Sequence, residues 1–131
     1  MRTKGDSMHR ATMIVVGFSA LLILALSAGP AFAGYGALAY DEESKKFGLS
    51  SDEVSQSKAD DVATKECGGG KCKIVFRTAP RECGAIAFAG EGNAWGAGKR
   101  PQRAAAELDA VNNCQKRTKG QCKVREAACN R

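Results

Sequence analysis

Cys83-Gly84-Ala85-Ile86-Ala87-Phe88 carries the pattern of Gly36-Ala37-Leu38-Ala39-Tyr40, set 48 residues further along the chain. Each is a short apolar run ending in an aromatic residue and reads as a strand. The residues after each run repeat as well. After the first, Asp41-Glu42-Glu43-Ser44 is a polar turn and Lys46-Phe47-Gly48-Leu49 is a partner strand, ended by Ser50-Ser51-Asp52. After the second, Gly90-Glu91-Gly92-Asn93 is the turn and Ala94-Trp95-Gly96-Ala97 the partner, with Trp95-Gly96 again 48 residues after Phe47-Gly48. Ser57-Lys58-Ala59-Asp60 has the outline of a capping box. Ala59, Val62, Ala63 and Cys67 then recur at helical spacing on one face, and Gly68-Gly69-Gly70 stops the helix. A second helix opens near Pro101, which suits a first turn, and gathers Ala106, Ala110, Val111 and Cys114 on one face. Cys72, Ile74 and Phe76 alternate with Lys73, Val75 and Arg77, which predicts a strand with one wetter face. Cys122-Lys123-Val124 repeats the start of that strand at an offset of 50.

Each unit is therefore ββαβ with three cysteines, spanning 34–83 and 84–131. A repeat of this length changes the expected fold, because neither unit can bury its apolar face alone. The expectation is a single α+β domain, an antiparallel sheet of about six strands with two helices packed on it. The many Ala residues on the helices let their axes approach the sheet closely. The six cysteines, Cys67, Cys72, Cys83, Cys114, Cys122 and Cys129, form an even set in a short chain and read as a disulfide framework. In each unit one Cys ends the helix and the next begins the following strand, which predicts Cys67–Cys72 and Cys114–Cys122. Cys83 and Cys129 remain and occupy equivalent places, so a pseudo-twofold axis would bring them face to face. That long closure is worth about 4 kcal/mol from loop entropy.

The first quarter of the chain reads differently. Arg2, Lys4 and Arg10 precede an apolar run over 14–28, then Pro30 and the small-x-small pattern Ala31-Phe32-Ala33. This is the organisation of a secretory signal peptide, 1–33, with cleavage after Ala33. It implies a secreted or periplasmic domain with no membrane span once the leader is removed. Export also agrees with the even cysteine count. The one His in the chain is His9, inside the leader. The exported part thus lacks the imidazole needed for Ser-His-Asp or Cys-His nucleophiles, for His-ligated zinc or for a histidine acid–base step. Cys-x4-Cys and Cys-x7-Cys lack the short spacing of zinc sites, so neither a metal nor any other cofactor is expected. Gly68-Gly69-Gly70-Lys71 follows a helix, whereas a phosphate loop precedes one.

Charge is unevenly spread. Residues 34–70 hold 4 basic and 8 acidic side chains, and residues 71–131 hold 13 basic and 5 acidic. Lys73, Arg77, Lys123 and Arg125 would alternate onto the wetter face of the two unit-final strands. Lys99, Arg100 and Arg103 lead into the second helix. Together these seven form the expected binding surface, suited to an acidic protein or a polyanion of the envelope. Nucleic acid is not expected of an exported domain with few aromatics to stack on bases. Trp95 and Tyr40 are candidates for a contact patch, with Trp95 read first as core. The acid–base candidates are Asp41, Glu42 and Glu43 on one turn and Glu91 on its equivalent. A glycosidase would need two carboxylates across a cleft.

Taken together, these motifs resemble a bacterial family of small exported proteins, the domain of unknown function catalogued under the number 4189. The resemblance rests on Gly36–Tyr40, Phe47-Gly48, Ala59–Cys67 and Cys72–Ile74. The second copy supplies Gly84–Phe88, Trp95-Gly96, Ala106–Cys114 and Cys122–Val124. The first copy departs from the pattern at Asp60-Asp61 and in its short Gly-rich connection. The family brings no activity with it. The functional expectation is an exported, disulfide-stabilised, non-enzymatic binding module, of the inhibitor or immunity type, acting by macromolecular contact. The alternatives are a carboxylate-dependent enzyme acting on cell-wall glycans and a structural envelope protein.

Overall fold

The computed structural model describes residues 34–131; the expected leader lies outside the described residues. In chain order the elements are β1 (Tyr35–Asp41), β2 (Lys46–Glu53), α1 (Gln56–Cys67), β3 (Lys73–Thr78), β4 (Cys83–Ala89), β5 (Trp95–Arg100), α2 (Arg103–Gln115) and β6 (Cys122–Cys129). This is ββαβ twice. All strand pairs are antiparallel. The six strands do not form one continuous sheet. They form two three-stranded sheets, ordered β2-β1-β3 and β5-β4-β6, each centred on the first strand of its unit.

Side-chain size explains the division. On β1, Ala37 and Ala39 face α1 and pack with Ala59, Ala63 and Cys67. On β4, Ala85 and Ala87 face α2 and pack with Ala106, Ala110 and Cys114. Successive residues of a strand point to opposite faces, so the large residues point the other way. Leu38, Tyr40 and Leu49 of the first sheet meet Ile86, Phe88 and Trp95 of the second in a third cluster. The result is four layers: α1, first sheet, second sheet, α2. Leu38 and Ile86, both fully buried, sit at equivalent places in the shared middle layer.

The helices lie close to their sheets because glycine leaves room. A Cβ at Gly48 would collide with the α1 backbone at Ala63 and Cys67, and one at Gly96 with the α2 backbone at Ala110 and Cys114. Helix and strand therefore touch main chain to main chain at equivalent positions, as the Ala-rich faces suggest.

Several boundaries differ from the sequence expectation. β2 continues through Ser50-Ser51-Asp52 to Glu53. Buried Ser50 makes this possible, since its hydroxyl accepts from Ala37 N and donates to Ala59 O at 2.7 Å, linking β1, β2 and α1. Helix α1 is capped two residues earlier than expected. Ser55 is the N-cap, in an extended conformation, and accepts from Lys58 N. Gly68 ends the helix at φ 65° and donates to Thr64 O, the left-handed stop that glycine takes at little cost. Pro101 lies outside α2, which opens after Gln102 with no side-chain cap.

Both unit-final strands carry a β-bulge. Leu38 pairs with Phe76 but Ala39 with Ile74, leaving Val75 unpaired. Ile86 pairs with Glu126 but Ala87 with Val124, leaving Arg125 unpaired. The bulges are 50 residues apart, at equivalent places in the repeat. Each reverses the alternation at that point. Hence Ile74 packs toward α1 while Phe76 packs between the sheets.

Disulfides join Cys67–Cys72, Cys114–Cys122 and Cys83–Cys129, as expected. The third is not a contact across the pseudo-twofold, however. Cys83 opens β4 and Cys129 closes β6, and they are direct cross-strand partners within the second sheet. Cys83 thus begins the second unit instead of closing the first. The first unit's end is held by Asn130, which sequence reading did not single out. Its buried amide donates to Thr78 O, Thr78 Oγ1 and Ala79 O, and its Oδ1 accepts from Asp52 N.

Gly96→Ala should cost about 2–3 kcal/mol, because the added methyl meets backbone that cannot swing aside. Gly90→Ala, where nothing lies within 4 Å of the added carbon, should stay within about 0.5 kcal/mol of the parent. Urea denaturation of the two variants measures the difference, and equal stabilities would refute main-chain contact at Gly96.

Candidate functional site

The middle layer ends in four aromatic rings related by the repeat: Tyr40 with Phe88, and Phe47 with Trp95. Tyr40 lies 4.4 Å from Trp95 between ring centroids, and Phe47 lies 5.6 Å from Phe88. Tyr40 and Phe88 meet across the centre at 5.9 Å. The rings are tilted against one another, and aromatic pairs at such distances stabilise by about 0.5–1.5 kcal/mol each beyond burial. Trp95 is both core and surface. It packs on Tyr40, yet as the first residue of edge strand β5 it is only half-buried and lines the surface around it.

That surface is a groove between edge strands β3 and β5. Val75, Phe76, Trp95 and Ala97 form its apolar floor, and Lys99, Lys116 and Arg117 its rim, with no carboxylate in the lining. The bulge at Val75 creates part of the floor, since the extra residue is pushed outward and stays 40% exposed. Arg117, just past the end of α2, places its guanidinium 4.8 Å from the Trp95 ring centre, a cation–π contact worth about 0.5–1 kcal/mol at an exposed site. Trp95 also borders the neighbouring hollow, of about 300 Å³, lined by Tyr40, Glu42, Glu43, Lys71 and Lys73.

The seven cations expected to make one surface are divided among several places. Arg77 pairs with Asp60 of α1 at 2.7 Å, through both Nε and Nη2. Arg100 pairs with Asp109, and Arg103 with Glu107 at 2.9 Å, both acids on α2. These three brace helices against strands or along their own turn, and exposed pairs of this kind add little to stability. Lys99 lines the Trp95 groove and Lys73 the adjoining hollow. Lys123 and Arg125 border a separate depression with Phe88, Glu91 and Val124. The bulge at Val75 parts Lys73 from Arg77, which plain alternation would have kept on one face, whereas Lys123 and Arg125 stay together. Lys116 and Arg117 were missed; the sequence signal for them is a basic pair just beyond the helix-ending Cys114.

The carboxylates are largely occupied. Burial raises the pKa of Asp41. Hydrogen bonds from Ser44, Lys71 and Glu43 outweigh burial and hold it below the ordinary aspartate value. Asp41 is thus the organiser of the β1–β2 turn. Glu43 pairs with Lys71 at 2.6 Å. Glu91 lies in the other depression, away from Asp41, Glu42 and Glu43. Burial, and then the Glu66 carboxylate, push Glu126 above the usual glutamate range. Among the described residues, no three His, Cys, Asp or Glu side chains converge to hold a metal ion.

Tyr40 carries the one buried side-chain polar atom without a hydrogen-bond partner among the described residues, its hydroxyl. Burial raises its pKa, with Glu42 and Asp41 adding to the rise and Arg117 opposing it.

The fold and groove define a small disulfide-stapled α+β sandwich made from a duplicated ββαβ unit. The chain belongs to the family described as a domain of unknown function (DUF4189), which matches residues 35–129. It is similar to the uncharacterized proteins Rv1813c of Mycobacterium tuberculosis (strain H37Rv) and Mb1843c of Mycobacterium bovis. Each is 37% identical over 86 residues, which cover 66% of this chain and 57% of theirs. The chain therefore spans little more than half the length of these curated relatives. The NMR structure of Rv1813c superposes with a TM-score of 0.57 at 31% identity, covering 98% of this chain and 100% of that one. Among the described residues, no helix is long and apolar enough to cross a membrane.

Tyr40→Phe removes a buried hydroxyl that has no partner, so stability should be unchanged or raised by up to about 1 kcal/mol. Thermal and urea unfolding would show this. A loss of more than about 1 kcal/mol would mean that the hydroxyl is bonded in the folded protein.

Proposed function

We propose that this domain is an exported binding module, held by its disulfides, that acts through surface contact with another macromolecule of the envelope or the extracellular space. The observation that carries this reading is the Trp95 groove, an apolar floor left open to solvent, with no carboxylate in its lining and a rim of cations that form no ion pair among the described residues. A folded domain gains nothing in stability by leaving Val75 and part of Trp95 uncovered, and an exposed apolar patch with a polar rim is characteristic of contact surfaces. Three disulfides and no free cysteine support an oxidising destination. The reading as a carboxylate enzyme draws less support, because Asp41 is committed to its turn and Glu91 lies in another depression.

Capture from the exported fraction of the native host tests this. The wild-type domain should retain a discrete partner. Lys99→Glu with Arg117→Glu should lose it, while Lys123→Glu with Arg125→Glu, which changes net charge equally on the other depression, should keep it. Equal loss in both double variants, or turnover of cell-wall glycan by the wild type, would contradict the proposal.

A further inference from the structure

We infer that the Trp95 groove receives an extended acidic segment of a protein partner, with two carboxylates about four residues apart and an apolar side chain between them. This deepens the contact-module reading and rests on it. Positive charge stands at both ends of the groove. Arg117 sits over Trp95 at the start of β5, and Lys99 lies four residues further along the same strand. At about 3.3 Å per residue the two ends are about 13 Å apart. Between them the floor is Val75, Phe76 and Ala97. None of Lys99, Lys116 and Arg117 pairs with a carboxylate among the described residues.

An extended peptide has the same rise as β5, so carboxylates at positions i and i+4 reach both ends together. The residue at i+2 points to the same face and meets the apolar floor. A single-headed amphiphile would satisfy one end only. A polyanion would neutralise the cations and leave the floor uncovered. Simple strand addition along β3 is disfavoured because the bulge at Val75 interrupts its edge. Recognition therefore runs through side chains: charge at the ends fixes position and the middle residue supplies apolar burial.

Trp95 is the only tryptophan in the chain, so its emission reports the groove and the hollows that share its ring, and the Lys99 variant assigns the change to the groove. The test titrates the whole domain with a capped peptide Gly-Glu-Ser-Leu-Ser-Glu-Gly. A saturable change in emission is expected, weakening as salt rises. Lys99→Glu should weaken binding at least tenfold, and so should a peptide with the two Glu adjacent. Lys123→Glu with Arg125→Glu should bind as the parent does. Circular dichroism confirms that Lys99→Glu is folded, and Lys116→Glu serves as a second rim variant. The inference is overturned by no saturable change, by equal binding of the adjacent-Glu peptide, or by tighter saturable binding of decanoate or a heparin oligosaccharide. If the peptide fails while capture of a partner still depends on Lys99 and Arg117, the contact module stands and only this inference falls.

Discussion

The structure depends on main-chain contact between each helix and the strand beneath it. Gly48 and Gly96 have no room for a side chain under α1 and α2. Only Ala and Cys fit on the faces around them: Ala59, Ala63 and Cys67 in one unit, Ala106, Ala110 and Cys114 in the other. Little apolar area is buried there. The large residues must consequently lie on the opposite face of each sheet, where no helix covers them. That face is useful only when a second sheet closes over it. Duplication supplies the second sheet, and the two units together make one hydrophobic layer that neither has alone. Disulfides then secure what small residues hold weakly. Two of them tie a helix end to the strand that follows, and the third locks β4 to β6.

The repeat is close in backbone and divergent in chemistry. Its bulges fall at equivalent residues, Val75 and Arg125, and its aromatic rings form a pseudo-symmetric quartet. Yet Phe47 in one unit is Trp95 in the other, and the bulged residue is apolar in the first and charged in the second. These differences put Trp95 and Val75 in the groove on one edge of the sandwich, and Glu91, Lys123 and Arg125 beside Phe88 and Val124 in the depression on the other.

Much of this was legible in the sequence because the signals were local and occurred twice. Gly36–Tyr40 and Gly84–Phe88 marked the central strands, the Ala-Cys spacing marked the helix faces, and the order of cysteines within a unit gave their partners. The features that stayed hidden depend on distant contacts. Nothing in Lys73-Ile74-Val75-Phe76 announces that one residue will be extruded, so the expected basic face could not be seen to divide. Ser50 looks like a turn residue until its hydroxyl is placed between β1 and α1. Asn130 gains its role only when it reaches Thr78, 52 residues away. The groove itself joins β3 of one unit to β5 of the other, which no reading of a single unit would reveal.

The two units share one core and should therefore share one stability. Native-state hydrogen exchange tests this most directly, read at the amides of Leu38 on β1 and Ile86 on β4. With the disulfides intact, both should exchange only through the same global opening, with equal free energies and equal sensitivity to urea. If the amides of the first unit opened at much lower free energy while those of the second stayed protected, the units would be folding separately and the shared middle layer would not hold the protein together.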